Sequence, residues 1–157
     1  MNLPDTFSTL PPLLQPEVQQ RWQDYQTNAK PEEIAHLAQH PQIFDSLPKV
    51  WACSLFVAKN CVQFPSLLSE LIESGDLLKA PSHYSQSLAN RLQNAFDEAD
   101  LMRILRLYRR REMVRIAWRD LAGWASLGES LQSLSELADA MIDGALTWLY
   151  QPLTRQF

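Results

Sequence analysis

Apolar residues along this chain return at three- and four-residue intervals, and no stretch sustains the apolar–polar alternation of a half-buried strand. Proline, more than glycine, separates the apolar runs. Only four glycines occur, too few for a protein built on tight β turns, whereas several of the ten prolines stand where a helix can begin: Pro16-Glu17, Pro31-Glu32-Glu33, Pro48-Lys49 and Pro65-Ser66. Proline suits the first helical turn because its missing N–H has no intrahelical partner there. Acids placed behind it face the positive end of the helix dipole. These signals predict helices at about 13–28, 31–40, 48–63, 65–74, 82–96, 97–124 and 128–150. Ser126 and Glu129 have the S-x-x-E spacing of a capping box, which marks the start of the last helix. Its apolar positions Leu131, Leu134, Leu137, Ala138, Met141, Ala145, Trp148 and Leu149 predict one buried stripe. The expected fold is all-α, a multi-helix bundle with a long central arginine-rich helix, formed as a single helical domain over residues 1–157.

Composition supports one well-cored domain. The chain has 157 residues, of which 46% are hydrophobic and 20% charged, so it can bury a substantial core and is not a solvated, disordered polymer. No apolar run approaches the roughly 20 residues of a membrane span. The opening "MNLPDTFSTLPPLLQPEV" lacks the basic and apolar regions of a secretory leader. No membrane association is expected, and the cytoplasm is the expected compartment. Cys53 and Cys61 lie eight apart in the predicted helix 48–63. That separates them by roughly 12 Å of helical rise, beyond the about 7 Å between Cα atoms that a disulfide spans. Both are expected to be reduced, buried thiols.

Charge changes the picture most in one place. The net charge is −4, yet seven of the 14 Lys and Arg residues are arginines between positions 103 and 119. On a helix Arg103, Arg106 and Arg110 share one face, Arg111, Arg115 and Arg119 repeat at i, i+4, i+8 along another, and Arg109 stands apart. Apolar residues surround the same axis almost completely, which predicts a central helix with arginines packed among its neighbours. A buried, unpaired charge costs several kcal/mol, so partners are required. Asp97, Asp100 and Arg103 are close at helical spacing, and Glu112 reaches Arg115. The nearby acids Asp97, Glu98, Asp100, Glu112 and Asp120 are fewer than the arginines, leaving some to pair elsewhere, meet water or meet an anion. The expectation is that Arg103, Arg106 and Arg110, with Asp97, Asp100 and Asp120, form structural ion pairs. Arg111, Arg115 and Arg119 are expected to be the exposed row, available to a neighbouring domain or to a phosphate. An acidic chain without further basic clusters argues against nucleic acid.

Other chemistry is sparse. His36 and His40, with Glu32 and Glu33 one turn earlier, have a spacing compatible with metal ligation, but no HExxH pattern or further ligand cluster accompanies them, and two surface histidines are expected. No G-x-S-x-G, Ser-His-Asp set or Gly-rich phosphate loop occurs. No catalytic and no metal-ligating residue is assigned.

The segment "DEADLMRILRLYRRREMVRIAWRDLAGWASLGESLQSLSELADAMIDGALTWLY", residues 97–150, resembles part of the bifunctional glutamine synthetase adenylyltransferase/adenylyl-removing enzymes. That family carries an L-R-x-x-R-R-R-x-x-x-R-I-A-x-R-D-L-x-G stretch followed by an L-S-x-L-A-D-like helix. Here these are Leu105-Arg106, Arg109-Arg110-Arg111, Arg115-Ile116-Ala117, Arg119-Asp120-Leu121 and Gly123, then Leu134-Ser135-Glu136-Leu137-Ala138-Asp139. The resemblance implies a helical segment at the start of the adenylyl-removing half, which takes AMP from a tyrosine of glutamine synthetase by phosphorolysis and releases ADP. It also implies a separate nucleotidyltransferase domain using Mg and ATP, with neither cofactor held by this segment. The implied partners are the remainder of the adenylyltransferase chain, glutamine synthetase and a PII-type signal protein. The segment itself is expected to be inactive, since the family's Gly-rich turn and paired carboxylates are not in it. The competing expectation is a free-standing helical module that binds an acidic protein or nucleic acid through its arginines.

Overall fold

The structure, a computed structural model, describes residues 1–155, with side chains as far as Gln151. Among the described residues every regular element is helical. After a 3-10 turn at Asp5–Thr9 come α1 (Gln15–Asn28), α2 (Pro31–Ala38), α3 (Pro41–Cys53), α4 (Leu55–Gln63) and α5 (Pro65–Glu73). A connector with a 3-10 turn at Asp76–Leu78 leads to α6 (Tyr84–Leu92), α7 (Glu98–Leu121) and α8 (Leu127–Arg155). Proline opens α2, α3 and α5 and sits in the first turn of α1, as its missing donor favours.

Two apolar clusters hold these helices. The first joins α1 to α5 with the second half of α7 and contains Trp22, Tyr25, Leu47, Trp51, Leu68 and Trp118. Trp22 stacks on Tyr25 with ring centroids 5.5 Å apart, and Trp51 meets Tyr25 edge-on at 5.8 Å. Trp118 adds a polar tie, its indole N–H donating to Ser46 Oγ at 2.9 Å. The second cluster packs α6, α7 and α8 through Leu88, Leu92, Leu101, Tyr108, Ile116 and Leu137. Gly144 sets how closely α6 and α8 approach, because a Cβ there would lie 2.9 Å from Leu88 Cδ2. α7 serves both clusters, with Val114 and Trp118 in the first and Leu101, Ile104, Tyr108 and Ile116 in the second. That is why its apolar residues encircle the axis.

Three expectations are corrected. Pro48 does not begin a helix but lies buried inside α3, which starts at Pro41. An interior proline costs about 3 kcal/mol, and burying Ile43, Leu47, Val50 and Trp51 on one face offsets it. The predicted helix 48–63 is therefore two helices, broken at Ser54, whose hydroxyl caps α4 by accepting from Val57 N–H at 3.2 Å. Cys53, at the end of α3, is exposed, while Cys61 is buried, and both are free thiols. The third correction concerns α8. Its buried face carries Leu137 and Ala140 together with Ser130 and Ser133, whereas Leu131, Leu134, Ala138 and Leu149 face outward. No helix among the described residues is long and apolar enough to cross a membrane.

Candidate functional site

Residues 74–83, between α5 and α6, run across α7 with a single 3-10 turn at Asp76–Leu78 as their regular structure, and several of their carbonyls take donors from α7. Arg111, Arg115 and Arg119 supply them. Arg115 Nε donates to the Asp76 carbonyl at 2.8 Å and its Nη2 to the Lys79 carbonyl at 3.0 Å. Arg119 Nη1 donates to the Leu77 carbonyl at 3.2 Å. A guanidinium suits this seam because its planar fork reaches several acceptors at once, which a lysine ammonium on a flexible stem does not.

Carboxylates neutralise the same row. Arg111 Nε donates to Glu70 at 2.8 Å, its Nη2 to Asp76 at 2.6 Å, and its Nη1 to Glu112. Glu112 also accepts from Arg115 Nη1 at 3.3 Å, so this carboxylate, only 2% exposed, joins two guanidiniums. Arg119 pairs with Glu129 of α8 at 3.0 Å, and Arg91 of α6 reaches Glu70 at 3.0 Å. Four arginines thus face four carboxylates, and the network carries no net charge. Partial burial alone would raise the Glu70 and Asp76 carboxyls. For Glu70 the Arg91 hydrogen bond and the Arg111 charge outweigh it, and for Asp76 the Arg111 hydrogen bond and the Arg115 charge do, so both are lowered. Desolvation would lower Arg111, but Asp76, Glu112 and Glu70 raise it above an ordinary guanidinium.

The end of α7 aims this network at α8. Gly123, at φ +78°, closes α7 in a Schellman turn, with Trp124 N–H donating to the Arg119 carbonyl at 2.9 Å and Gly123 N–H to that of Asp120 at 3.0 Å. The turn returns the chain so that Glu129 meets Arg119. Only half of the expected capping box forms: Ser126 Oγ accepts from Glu129 N–H at 3.1 Å, while the Glu129 side chain goes to Arg119.

The exposure expected for the two arginine rows is therefore reversed. Arg111, Arg115 and Arg119 are 5%, 6% and 5% exposed, because Glu70, Asp76 and Glu129 approach from elements that helical spacing cannot bring into view. Arg103, Arg106 and Arg109 are exposed and Arg110 is half-buried. Arg103 makes only an exposed 3.5 Å contact with Asp100, and Arg110 lies 4.1 Å over the Phe64 ring. Among the described residues no carboxylate pairs with Arg106, Arg109 or Arg110. Asp97 caps α7, accepting from Asp100 N–H at 2.7 Å. Asp120 is exposed and accepts from Ser130 Oγ at 2.7 Å instead of meeting an arginine.

A polar depression of about 490 Å³ opens beside Arg111, Arg115 and Tyr108, with His83, Lys79 and Ser87 on its walls. Every guanidinium nitrogen of Arg111 and Arg115 already donates to the protein, and Asp76 and Glu112 line the same depression, so an anion entering there would meet carboxylates as well as guanidiniums. His36 and His40 meet edge-to-face at 4.7 Å, and His40 Nδ1 is 2.9 Å from the His36 carbonyl. Among the described residues no three His, Cys, Asp or Glu side chains form a group able to hold a metal ion.

A family model described as glutamate-ammonia ligase adenylyltransferase matches residues 44–157. The chain is similar to a bifunctional glutamine synthetase adenylyltransferase/adenylyl-removing enzyme of Nitrosococcus oceani, 54% identical over 103 residues, covering 64% of this chain and 11% of that protein. A protein of the same description from Thioalkalivibrio sulfidiphilus is 39% identical over 153 residues, covering 96% of this chain and 15% of its own length. One from Hahella chejuensis is 32% identical over 159 residues, covering 100% of this chain and 16% of its own. The chain thus spans between 11% and 16% of these relatives. Matched over most of its length, with the arginine motif built into its central helix, this chain belongs to the glutamate-ammonia ligase adenylyltransferase family.

Proposed function

We propose that this chain is the helical N-terminal subdomain of the adenylyl-removing half of such an enzyme. It supports the phosphorolytic deadenylylation of glutamine synthetase in nitrogen regulation and does not catalyse it alone. One observation carries the reading: the buried arginine row is spent on internal ion pairs and on backbone carbonyls. Arg111, Arg115 and Arg119 tie α7 to the 74–83 connector and, through Glu129, to α8, leaving their nitrogens engaged. Such a clamp holds helices in a fixed relation, which is the task of a scaffold. In this reading Mg and ATP belong to the nucleotidyltransferase parts of the longer protein, and glutamine synthetase and a PII-type signal protein are partners of the whole.

The test uses the complete enzyme with Glu112→Gln, which loosens the clamp without emptying its space. AMP removal from glutamine synthetase should fall severalfold at the temperature where the variant is still folded, while AMP attachment is retained. Loss of attachment with removal intact would assign the segment to the other half. The 157-residue chain alone, given adenylylated glutamine synthetase, phosphate and Mg²⁺, should release no ADP above background; turnover at enzyme rates would overturn the non-catalytic role.

A further inference from the structure

The outer face of α8 is apolar and bare. Leu127, Leu131, Leu134, Ile142, Leu146 and Leu149 are 72%, 56%, 39%, 59%, 46% and 40% exposed. With Ala138 and Ala145 between them they form one band about 120° wide along the helix, centred roughly 140° around the axis from the buried face of Leu137, Ala140 and Gly144. The band is about 33 Å long at 1.5 Å per residue. Single exposed leucines are ordinary, but a continuous row marks a surface that something covers.

The two margins of this row carry opposite charge. On α7, Leu105, Arg109 and Met113 share a line at i, i+4, i+8. Leu105 and Met113 pack into the second cluster together with Met141 of α8, which places the exposed Arg109 on the α7 edge bordering α8, beside Arg106. Neither arginine has a carboxylate partner among the described residues. The opposite margin is acidic, with Glu136, Asp139 and Asp143 exposed on α8 itself.

We infer that this face is an intramolecular docking surface, covered by another domain of the same polypeptide. That domain presents an apolar ridge with carboxylates toward Arg106 and Arg109, and with Lys or Arg toward Asp139 and Asp143. The inference rests on the reading of the chain as part of a longer enzyme. Its relatives place 84% or more of their length outside the matched segment, so covering surface within one polypeptide is abundant. Docking within one chain also needs little intrinsic affinity, since a tethered partner is present at about millimolar effective concentration. An anionic bilayer would meet repulsion along the Glu136–Asp143 margin, and nucleic acid has no use for a row of leucines.

Hydroxyl-radical footprinting of the complete enzyme and of the 157-residue chain tests it, reading oxidation of Leu131, Ile142 and Leu149 by mass spectrometry. These side chains should be oxidised in the short chain and protected by about fivefold or more in the complete enzyme, as expected for an interface core. Ile142→Glu and Arg109→Glu, both at exposed positions, should each restore oxidation of Leu131 and Leu149 in the complete enzyme. Equal oxidation in both proteins overturns the inference. So does a dimer of the short chain, seen by sedimentation, that Ile142→Glu dissolves, because a second copy is then the occupant. Binding of the short chain to phosphatidylserine vesicles, lost in the same variant, overturns it in favour of a membrane. Protection without any effect of Glu112→Gln on AMP removal would leave the docking surface standing and remove the proposed function; the converse result would do the opposite.

Discussion

Removing the Glu112 carboxylate should cost more stability than removing any other acid of α7. Glu112 is 2% exposed and accepts from both Arg111 and Arg115. In Glu112→Ala, Arg111 keeps Glu70 and Asp76, but Arg115 keeps only backbone carbonyls and a 4.0 Å approach to Asp76. Removing one partner of a buried pair costs roughly 3–5 kcal/mol. Because Asp76 is shared and partly hydrated, the lower end applies, about 3 kcal/mol. In a domain of this size each kcal/mol moves Tm by roughly 2–4 °C, so the expected fall is about 6–12 °C. Asp120→Ala is the control: it is exposed and loses one hydrogen bond from Ser130, about 1 kcal/mol. Urea titration followed by tryptophan fluorescence measures both, since Trp22, Trp51 and Trp118 are fully buried and report loss of the core. If Glu112→Ala and Asp120→Ala lose the same small amount, the buried network is not what holds the connector to α7.

Three further outcomes follow from the same geometry. Arg111→Ala should destabilise by about 3 kcal/mol, because Asp76 loses its 2.6 Å partner and the buried Glu112 is left with Arg115 alone at 3.3 Å, whereas Arg106→Ala should stay within about 0.5 kcal/mol; thermal melts of both variants test the reversed rows. Glu70 and Asp76 are lowered from ordinary values of 4.5 and 3.8, so their stabilisation is complete above those values and is lost as pH falls through the depressed folded-state values. Stability measured against pH should therefore start to drop below about 4.5, and Arg111→Ala should flatten that drop. The exposed Cys53 should react with a thiol reagent in the folded protein, whereas Cys61, buried and with its thiol pushed up to about 12, should react only in denaturant; two fast thiols would contradict the packing of α4.

Much of this protein was legible in its sequence because the relevant forces act over one or two helical turns. The proline-led starts of α2 and α5, the start of α8 at Ser126, and the all-round apolar character of α7 are local signals, and the helices formed where those signals stand. The resemblance carried by residues 97–150 was likewise legible, because a motif of fixed spacing on one helix survives without knowledge of its surroundings. What the arginines do was not legible. Helical spacing shows Glu112 beside Arg115 but cannot show Glu70 and Asp76 arriving from α5 and the connector, or Glu129 arriving from α8. The row repeated at i, i+4, i+8 therefore looked like the uncompensated one when it is the buried one. Pro48 shows the same limit: a local rule made it a helix start, and burial of the α3 face overrode the rule. On α8, periodicity located the leucines but could not say which would find a neighbour, since Ser130 and Ser133 occupy buried positions while Leu131 and Leu134 face outward. Local energies chose the helices. Contacts between distant segments, each weighing desolvation of a charge against the partners brought to it, decided which arginines were buried and which face of α8 was left bare.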